Sequence, residues 1–229
     1  DLTGDWSSDV CSSDLKEGER VNRELLRLNN GQIYMFDLDK NILKNNLYGI
    51  DLNEESVELT KLSLWLKTAN KREPLTSLDG NIICANSLIE DYNIVGEKAV
   101  NWERSFASFN ANEGFDIIIG NPPYGAKLTD KEKKYLDIAY KTTQYNYDTY
   151  KFFIELSFRL CKSNGYVGLI TPNTYLILEK SNLLREFLFD NYRLKKLIEI
   201  YNVFPDAIVE PIISIFQKSK AYLNEKFEV

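Results

Sequence analysis

The sequence of 229 residues contains no histidine. Histidine is the usual general base near neutral pH and the commonest nitrogen ligand of zinc. Its absence therefore excludes a histidine-based general base, a Ser-His-Asp triad and a histidine-containing zinc site. Whatever chemistry occurs must use amides, carboxylates, aromatic rings or backbone groups.

Cysteine is also scarce, with three residues in the chain. Cys11 lies in an unusual segment near the beginning of the chain, whereas Cys84 and Cys161 lie in apolar runs. Two such thiols are typical of packed core positions in a reducing compartment, without a disulfide framework or a metal cluster. We expect a cytoplasmic protein that binds no metal.

Long hydrophobic runs are absent as well. No apolar run approaches the ~20 residues that a helix needs to span a bilayer, and no secretory leader is visible. The length and the hydrophobic fraction of 44% suit one globular domain with a sizeable core. We expect a soluble protein that does not use a membrane as a partner.

Residues 4–15 read GDWSSDVCSSDL and resemble the in-frame translation of a sequencing-library adapter. We expect residues 1–15 to be a disordered artefact and residues 16–229 to be the genuine protein; a Ser/Asp-rich tail is the alternative. The first 15 residues carry four aspartates and no lysine or arginine, so the net charge of -6 becomes -2 without them. Such a charge neither requires nor excludes a nucleic-acid partner.

Short apolar strands alternate with longer amphipathic helices along the remaining chain. This alternation predicts an α/β fold with a mainly parallel sheet between helices. The last two apolar runs, 197–201 and 212–217, are about ten residues apart, too close for a crossover helix, and predict an antiparallel hairpin. The predicted strands before them are 46–52, 81–88, 115–119 and 166–170, and helices are predicted at 16–28 and 54–69, after Asp148 and after Ser181.

Two of the predicted strands end in polar residues, at the edge where ligands bind in parallel sheets. The carboxylate of Asp51 could accept both hydroxyls of a ribose, or it could merely cap the helix predicted at 54–69, a task that Asn53 could also perform. The amide of Asn86 could form hydrogen bonds with the edge of an adenine, or Asn86 could be an ordinary turn residue.

The third strand runs into the sequence GNPPYG. Pro122 and Pro123 fix two φ angles at about -65° and remove two backbone donors. Pro122 also favours an extended backbone at Asn121. The side-chain oxygen of Asn121 and the carbonyl of Pro122 then form a preorganised pair of acceptors beside the face of Tyr124. A simple turn is the alternative.

Such a pair of acceptors suits a planar amino group like that of adenine. Its nitrogen is a poor nucleophile, because its lone pair is delocalised into the ring. Two acceptors that hold both N–H bonds favour a pyramidal nitrogen, whose lone pair can point at an electrophile. No side chain with an unusual pKa is needed, in agreement with the absence of histidine.

GNPPYG and several other segments of the chain resemble the adenine-N6 DNA methyltransferases of restriction-modification systems. The segment GNPPYG resembles motif IV of amino methyltransferases, and further blocks of that family occur in its order over most of 46–219. They are LYGIDLNEESVELTKLSLWL, NSLI, YKFFIELSFRLCKSNGYVGLITPNTYL, LLREFL and VFPDAIVEPIISIFQKS. The resemblance implies a Rossmann-like methyltransferase sheet, with S-adenosylmethionine as cofactor.

The resemblance also implies a role for individual residues around the cofactor. Asp51 would hold the ribose hydroxyls of S-adenosylmethionine, and Ile50 and Leu52 would flank its adenine. Asn86 would form a hydrogen bond with that adenine, although many relatives carry aspartate at this position.

For the substrate, the resemblance implies that Asn121 and Pro122 accept the target amine, with Pro123 completing the catalytic motif. Tyr124 would stack on the target base, and Phe204 would pack against it from another side. The partner would be double-stranded DNA with one adenine flipped out, because an adenine inside a duplex cannot reach such a pocket. The methyl group would then be transferred directly from the sulfonium.

The chain also departs from the family pattern. The family's first strand and glycine-rich loop should lie just upstream of residue 16, where the adapter-like segment stands. Relatives continue into a target-recognition domain, and a nuclease could be fused or separate. We therefore expect residues 16–229 to be a partial methyltransferase catalytic domain that is inactive as written.

Three alternatives remain open. A cytosine-N4 methyltransferase usually has serine at the position of Asn121. A glutamine or RNA-base methyltransferase can carry the same Asn-Pro-Pro-Tyr loop. A non-catalytic, DNA-binding remnant of a methyltransferase is the third.

Overall fold

The computed structural model of the chain describes the residues 35–68, 77–106, 114–142, 147–200 and 210–220. The expected artefact at 1–15, the predicted helix at 16–28 and Phe204 lie outside the described residues, so these expectations stay predictions. The chain divides into two compact units. The first comprises Asp1–Gly49 and Glu58–Ile82, and the second Ile50–Val57 and Ile83–Val229.

The first unit contains a helix that the sequence does not predict, between the predicted helix at 16–28 and the predicted strand at 46–52. Helix α1 (Met35–Asn45) ends without glycine. Its end is instead held from a distance by the buried side-chain amide of Asn81. The two N–H groups of that amide are shared among the carbonyls of Leu43 and Lys44 in the last turn, at 3.3 and 3.0 Å, and of Leu47 just beyond it, at 2.9 Å. A contact across so many residues has no local sequence signal, which is why the helix end was missed.

Helix α2 (Glu54–Thr68) forms where the sequence predicts it. The side-chain oxygen of Asn53 accepts the backbone N–H of Ser56 at 3.2 Å, which confirms the predicted N-terminal cap.

The leucines that share one face of α2 are exposed, however. Leu59, Leu62 and Leu66 are 64%, 48% and 71% exposed. The buried side chain of that stretch is Lys61, whose Nζ donates to Glu58 and Asp79 at 3.0 and 2.8 Å. Periodicity identifies an apolar stripe, but burial also requires an element that covers it.

Six strands form two sheets among the described residues. Strands β1 (Gly49–Asp51) and β2 (Ile82–Cys84) form a two-stranded sheet. The four-stranded sheet has the order β3-β4-β6-β5, and its members are β3 (Phe115–Gly120), β4 (Cys161–Pro172), β5 (Arg193–Glu199) and β6 (Pro211–Gln217). Strand β3 runs parallel to β4, whereas β6 is antiparallel to both β4 and β5. The predicted α/β fold and its C-terminal antiparallel hairpin are confirmed.

Among the described residues, five further α-helices belong to the second unit. They are α3 (Tyr92–Val95), α4 (Trp102–Ser105), α5 (Asp130–Ala139), α6 (Thr149–Leu160) and α7 (Asn182–Asn191). Helices α6 and α7 follow Asp148 and Ser181 as predicted, although the side chain of Asp148 makes no capping hydrogen bond. No helix among the described residues is long and apolar enough to cross a bilayer.

Helix α6 is the centre of the second unit because it is buried on two opposite faces. Tyr150, Ile154 and Phe158 belong to a first core cluster, with residues of β4, β6 and α7. A second row on the opposite face of α6 consists of Phe152, Leu156 and Leu160. This row belongs to a second core cluster, which also contains Leu88, Ile89 and Leu136. Each large apolar side chain buried in this way contributes about 1.5–3 kcal/mol. A helix held on both faces is a rigid support for the loops beside it.

Strand β3 lies at an edge of its sheet, next to β4 alone among the described strands. Two of its isoleucines on one face, Ile117 and Ile119, are 65% and 81% exposed. Ile118 between them packs against both core clusters. The strand is therefore anchored on one face and bare on the other.

Candidate active site

The Asn-Pro-Pro-Tyr loop, residues 121–124, directly follows β3. Gly120, the last residue of that strand, pairs with Leu169 of the parallel strand β4. The loop therefore leaves the sheet at its carboxyl edge, where α/β sheets bind ligands. Pro122 is buried, Tyr124 is half-buried and Asn121 is exposed, so the loop is anchored while the Asn121 amide faces outward.

The hydroxyl of Tyr124 closes the loop on itself. It lies 3.2 Å from the carbonyl oxygen of Ile170 and 3.3 Å from Oδ1 of Asn121. Both distances are long for O–H···O bonds, and the hydroxyl has one proton to share between the two acceptors. Burial raises the pKa of Tyr124, so this hydroxyl remains a donor at neutral pH.

Helix α6 holds the other side of the loop. Oγ1 of Thr149 donates to the carbonyl of Pro123 at 2.6 Å. The ring of Tyr150 meets that of Tyr124 edge to face, with centroids 6.2 Å apart. Among the described residues, none donates to the carbonyl of Pro122, which leaves it available to a ligand.

Asp51 ends β1 and is exposed. Its Oδ1 accepts the backbone N–H of Asn53 at 2.7 Å, which is a turn-forming contact. No hydrogen bond among the described residues uses its other carboxylate oxygen. The capping and ligand-binding interpretations of Asp51 are thus compatible, since each can use a different oxygen.

Asn86 lies at the end of the neighbouring strand. Its side-chain oxygen accepts the N–H of Leu88 at 3.0 Å, so the turn interpretation applies to this oxygen. The N–H of Ala85, the preceding residue, donates to the carbonyl of Asp51 at 3.0 Å, which places Asp51 and Asn86 on adjacent strand ends. The side-chain nitrogen of Asn86 has no partner among the described residues.

Leu52 and Ile50 flank Asp51 on the same segment. Leu52 is exposed and Ile50 is half-buried. The carbonyl of Leu52 accepts Nζ of Lys98 at 2.9 Å and the thiol of Cys84 at 3.4 Å. Cys84 is only partly buried, whereas Cys161 is fully buried.

The structure thus forms two groups from the predicted site residues. Asp51, with its two neighbours, and Asn86 form a group at β1 and β2, and residues 121–124 form another at β3 and α6. No hydrogen bond among the described residues joins the groups directly. Leu88, two residues after Asn86, and Ile118 of β3 pack into the second core cluster. Both groups are therefore attached to one core.

Four residues at these groups were missed by the sequence analysis: Lys98, Thr149, Tyr150 and Ile170. Lys98 lies in a segment predicted as loop, and Ile170 contributes only its carbonyl. Thr149 and Tyr150 are the first residues of a recognisably amphipathic helix, but the contact of Thr149 with Pro123 joins residues 26 positions apart in sequence. The only available signal was their position at the start of a helix that follows the catalytic motif.

A mixed α/β sheet in which the parallel strands β3 and β4 are followed by an antiparallel hairpin, with polar groups at its carboxyl edge, is typical of the methyltransferase fold. The M protein of the type I restriction enzyme EcoKI has this fold, with a TM-score of 0.56 and 16% identity over 86% of this chain and 35% of that chain. The model of the Eco57I restriction-modification methylase family matches residues 45–204. The chain belongs to that family.

Two curated relatives indicate how far the similarity extends. The type II restriction enzyme and methyltransferase RM.Eco57I of Escherichia coli is 35% identical over 178 residues, which are 71% of this chain and 18% of the relative. A release factor glutamine methyltransferase of Flavobacterium psychrophilum is 26% identical over 195 residues, which are 82% of this chain and 59% of the relative. The chain thus spans less than two thirds of either protein.

The cofactor that this family and fold imply is S-adenosylmethionine. The group at β1 and β2 fits it chemically, because a ribose offers hydroxyl donors and Asp51 keeps a free carboxylate oxygen at the carboxyl end of a strand. The exposed apolar side chain of Leu52 beside it suits the flat face of an adenine.

Proposed function

We propose that the chain is the catalytic part of a site-specific DNA methyltransferase that modifies N6 of an adenine flipped out of the duplex. The observation that carries the proposal is the exposed amide of Asn121 on a loop fixed by two prolines and anchored by Thr149, beside a Pro122 carbonyl to which no described residue donates. A planar amino group with two N–H bonds complements such a pair. Family membership supplies the restriction-modification context.

The loop's task is to prepare the amine. Oδ1 of Asn121 and the carbonyl of Pro122 each accept one N–H, which favours a pyramidal nitrogen with its lone pair directed away from the loop. The amine becomes acidic as its new bond forms, and the same two acceptors stabilise the positive charge that develops on it. When bound, S-adenosylmethionine supplies the electrophilic methyl group.

Tyr124 then serves as a stacking surface for the extruded base. Stacking on an aromatic ring contributes about 1–3 kcal/mol per base, which offsets part of the cost of unstacking. When the amine engages Asn121, the Tyr124 hydroxyl keeps its bond to the carbonyl of Ile170. Phe204, outside the described residues, is proposed to contact the base from another side.

The group at β1 and β2 is proposed to bind the cofactor. Asp51 accepts the ribose hydroxyls, Ile50 and Leu52 flank the adenine, and the side-chain nitrogen of Asn86 bonds an acceptor on its edge. Because the oxygen of Asn86 already accepts the N–H of Leu88, the nitrogen is the more available atom. This assignment keeps the turn of Asn86 intact.

The proposed partner is double-stranded DNA in the cytoplasm, with target-recognition and nuclease functions in fused or separate domains. DNA is favoured over protein by the family match across residues 45–204. Residues 16–229 are proposed to be part of the methyltransferase catalytic domain.

A second candidate substrate is a glutamine side chain, favoured by the similarity to a release factor glutamine methyltransferase. A glutamine amide also presents a planar NH₂ group, so the same pair of acceptors fits it. The aromatic surface at Tyr124 distinguishes the two, because a base gains more from stacking than an aliphatic side chain does.

A methyl-transfer assay with several candidate substrates tests the proposal. The protein, expressed with whatever coding sequence its gene carries on either side of these residues, is incubated with radiolabelled S-adenosylmethionine and with duplex DNA, RNA or a release factor. We expect label in DNA, at N6 of adenine. Label in the release factor alone would establish the glutamine alternative, and label at N4 of cytosine would reject the adenine assignment.

A further inference from the structure

The first turn of α6 contacts two separate loops at the carboxyl edge of the sheet. Thr149, its first residue, is 2% exposed and donates from Oγ1 to the carbonyl of Pro123 at 2.6 Å. The hydroxyl of Tyr150 lies 3.5 Å from Oγ1 of Thr174, and Nζ of Lys151 donates to Oγ of Ser181 at 2.9 Å. Three consecutive residues thus attach the loop after β3 and the segment after β4 to one helix.

This attachment matters because the Asn-Pro-Pro-Tyr loop cannot fix its own carbonyl groups in the usual way. A turn is normally held by backbone N–H donors of its own residues, and Pro122 and Pro123 have none. The orientation of the loop's carbonyls must therefore be set by donors from elsewhere. The hydroxyl of Thr149 is such a donor.

The backbone geometry shows how far this single bond reaches. The ring of Pro123 fixes its φ angle. Once the peptide that carries the Pro123 carbonyl is held, the ψ angle of Pro123 is the one soft torsion between it and the carbonyl of Pro122. The following residue, Tyr124, is attached to that same peptide. One hydrogen bond thus restrains the acceptor on one side and the stacking ring on the other.

We propose that Thr149 is a positioning residue of the methyl-transfer site. Its hydroxyl holds the Pro123 carbonyl and thereby keeps the Pro122 carbonyl and the Tyr124 ring aligned with the target amine. Thr149 contacts no substrate atom, because its side chain is buried behind the loop. The inference rests on the proposed function and adds to it a residue that lies outside the catalytic motif.

Two substitutions separate the hydroxyl from the shape of the side chain. Thr149→Val keeps the volume and removes the donor, whereas Thr149→Ser keeps the donor and removes a methyl group. We expect Thr149→Val to lower kcat for DNA methylation roughly 10- to 100-fold, as misplaced reacting groups do, with an unchanged KM for S-adenosylmethionine. Thr149→Ser should keep kcat within about threefold of the wild type.

Thr142→Val is the matched control. Thr142 is also buried, and its hydroxyl donates to a carboxylate oxygen of Glu155 at 2.8 Å, away from the Asn-Pro-Pro-Tyr loop. The control should lower the melting temperature without changing kcat. If Thr149→Val does not fold, Thr149→Ala replaces it, because alanine avoids placing a methyl group against the Pro123 carbonyl.

The outcomes distinguish the two proposals. An active wild type with kcat unchanged in Thr149→Val overturns the positioning role and leaves the proposed function standing. Equal losses in Thr149→Val and Thr149→Ser also overturn it, since a structural defect and not the hydroxyl would then be responsible. A wild type that methylates no DNA overturns the proposed function, and the positioning role with it.

Discussion

The hydroxyl of Tyr124 lies 3.3 Å from the side-chain oxygen of Asn121, so the aromatic residue proposed to stack on the base also contacts the proposed amine acceptor. Tyr124→Phe removes this contact and keeps the ring. We expect the variant to retain kcat within about threefold, because stacking needs the ring and not the hydroxyl.

Removal of the ring should have a larger effect. Tyr124→Ala is expected to lower kcat/KM for DNA about 5- to 150-fold, the equivalent of ~1–3 kcal/mol of lost stacking. Steady-state methyl transfer to a duplex substrate measures both variants. A Tyr124→Phe enzyme as impaired as Tyr124→Ala would show that the hydroxyl, not the ring surface, is required.

Asp51→Asn tests the cofactor group while it preserves the turn. The amide oxygen of asparagine can still accept the N–H of Asn53, which Asp51 binds at 2.7 Å. Loss of the carboxylate should weaken S-adenosylmethionine binding about tenfold or more, because hydrogen bonds to a charged group are worth ~1.5–3 kcal/mol. Calorimetric titration with the cofactor gives the change in Kd.

Asp91→Asn is the control for this substitution. Asp91 makes the same kind of contact, with its Oδ1 accepting the N–H of Asn93 at 2.8 Å, but belongs to the cap of α3. Its Kd for the cofactor should equal that of the wild type. Equal Kd values for Asp51→Asn and the wild type would remove Asp51 from the cofactor site.

Because Lys151 is buried, we expect the stability of the protein to depend on pH in a specific way. Burial lowers the pKa of Lys151 from its usual 10.5; Arg185 and Lys180 lower it further, and Asp148 partly opposes them. The unfolded chain therefore binds this proton more readily than the folded protein. The buried charge lowers the free energy of unfolding below the folded pKa, and this loss disappears as the pH rises toward 10.5.

Lys151→Met removes the charge and isolates its effect from that of the tyrosines, which titrate in both proteins. The free energy of unfolding of wild type relative to Lys151→Met should rise between pH 7 and about 10. Urea unfolding at several pH values measures the difference. A difference that is constant over this range would mean that burial does not lower the pKa of Lys151 in the folded protein.

The bare face of β3, with Ile117 and Ile119, predicts that substitutions on it change stability little unless another element covers it. Ile119 is 81% exposed, so Ile119→Thr should change the free energy of unfolding of these 229 residues by less than about 0.5 kcal/mol. Ile118→Thr, at a position packed against both core clusters, should cost clearly more.

If upstream sequence adds an element that covers this face of β3, Ile119 becomes buried and the same substitution should cost about 1 kcal/mol or more. Chemical denaturation of both forms measures the two costs. An unchanged cost in the longer form would show that upstream sequence does not cover this face of β3.

The sequence predicted those features that depend on local pattern. The strand that precedes residues 121–124, helix α6 and the closing hairpin all follow from apolar periodicity and chain spacing. The capping of α2 by Asn53 was also predictable, because a cap involves neighbouring residues.

Features that depend on distant partners were not predictable. Leu59 on α2 is exposed although its spacing favours burial, since no described element covers it. The end of α1 is capped by Asn81, far along the chain. The contact of Thr149 with Pro123 likewise joins separate elements, and no local pattern of residue types encodes it.

The central claim is that Asn121 and Pro122 activate the amino group of an adenine in DNA. The most direct test is the content of N6-methyladenine in the DNA of a host without its own DNA methylation. The host expresses the protein or its Asn121→Ala variant, each with whatever coding sequence the gene carries on either side of these residues. Asn191→Ala, at an exposed asparagine at the end of α7, is the matched control. We predict N6-methyladenine with the wild type and the control, and a loss of about 100-fold or more with Asn121→Ala. N6-methyladenine at wild-type levels with Asn121→Ala would contradict the claim.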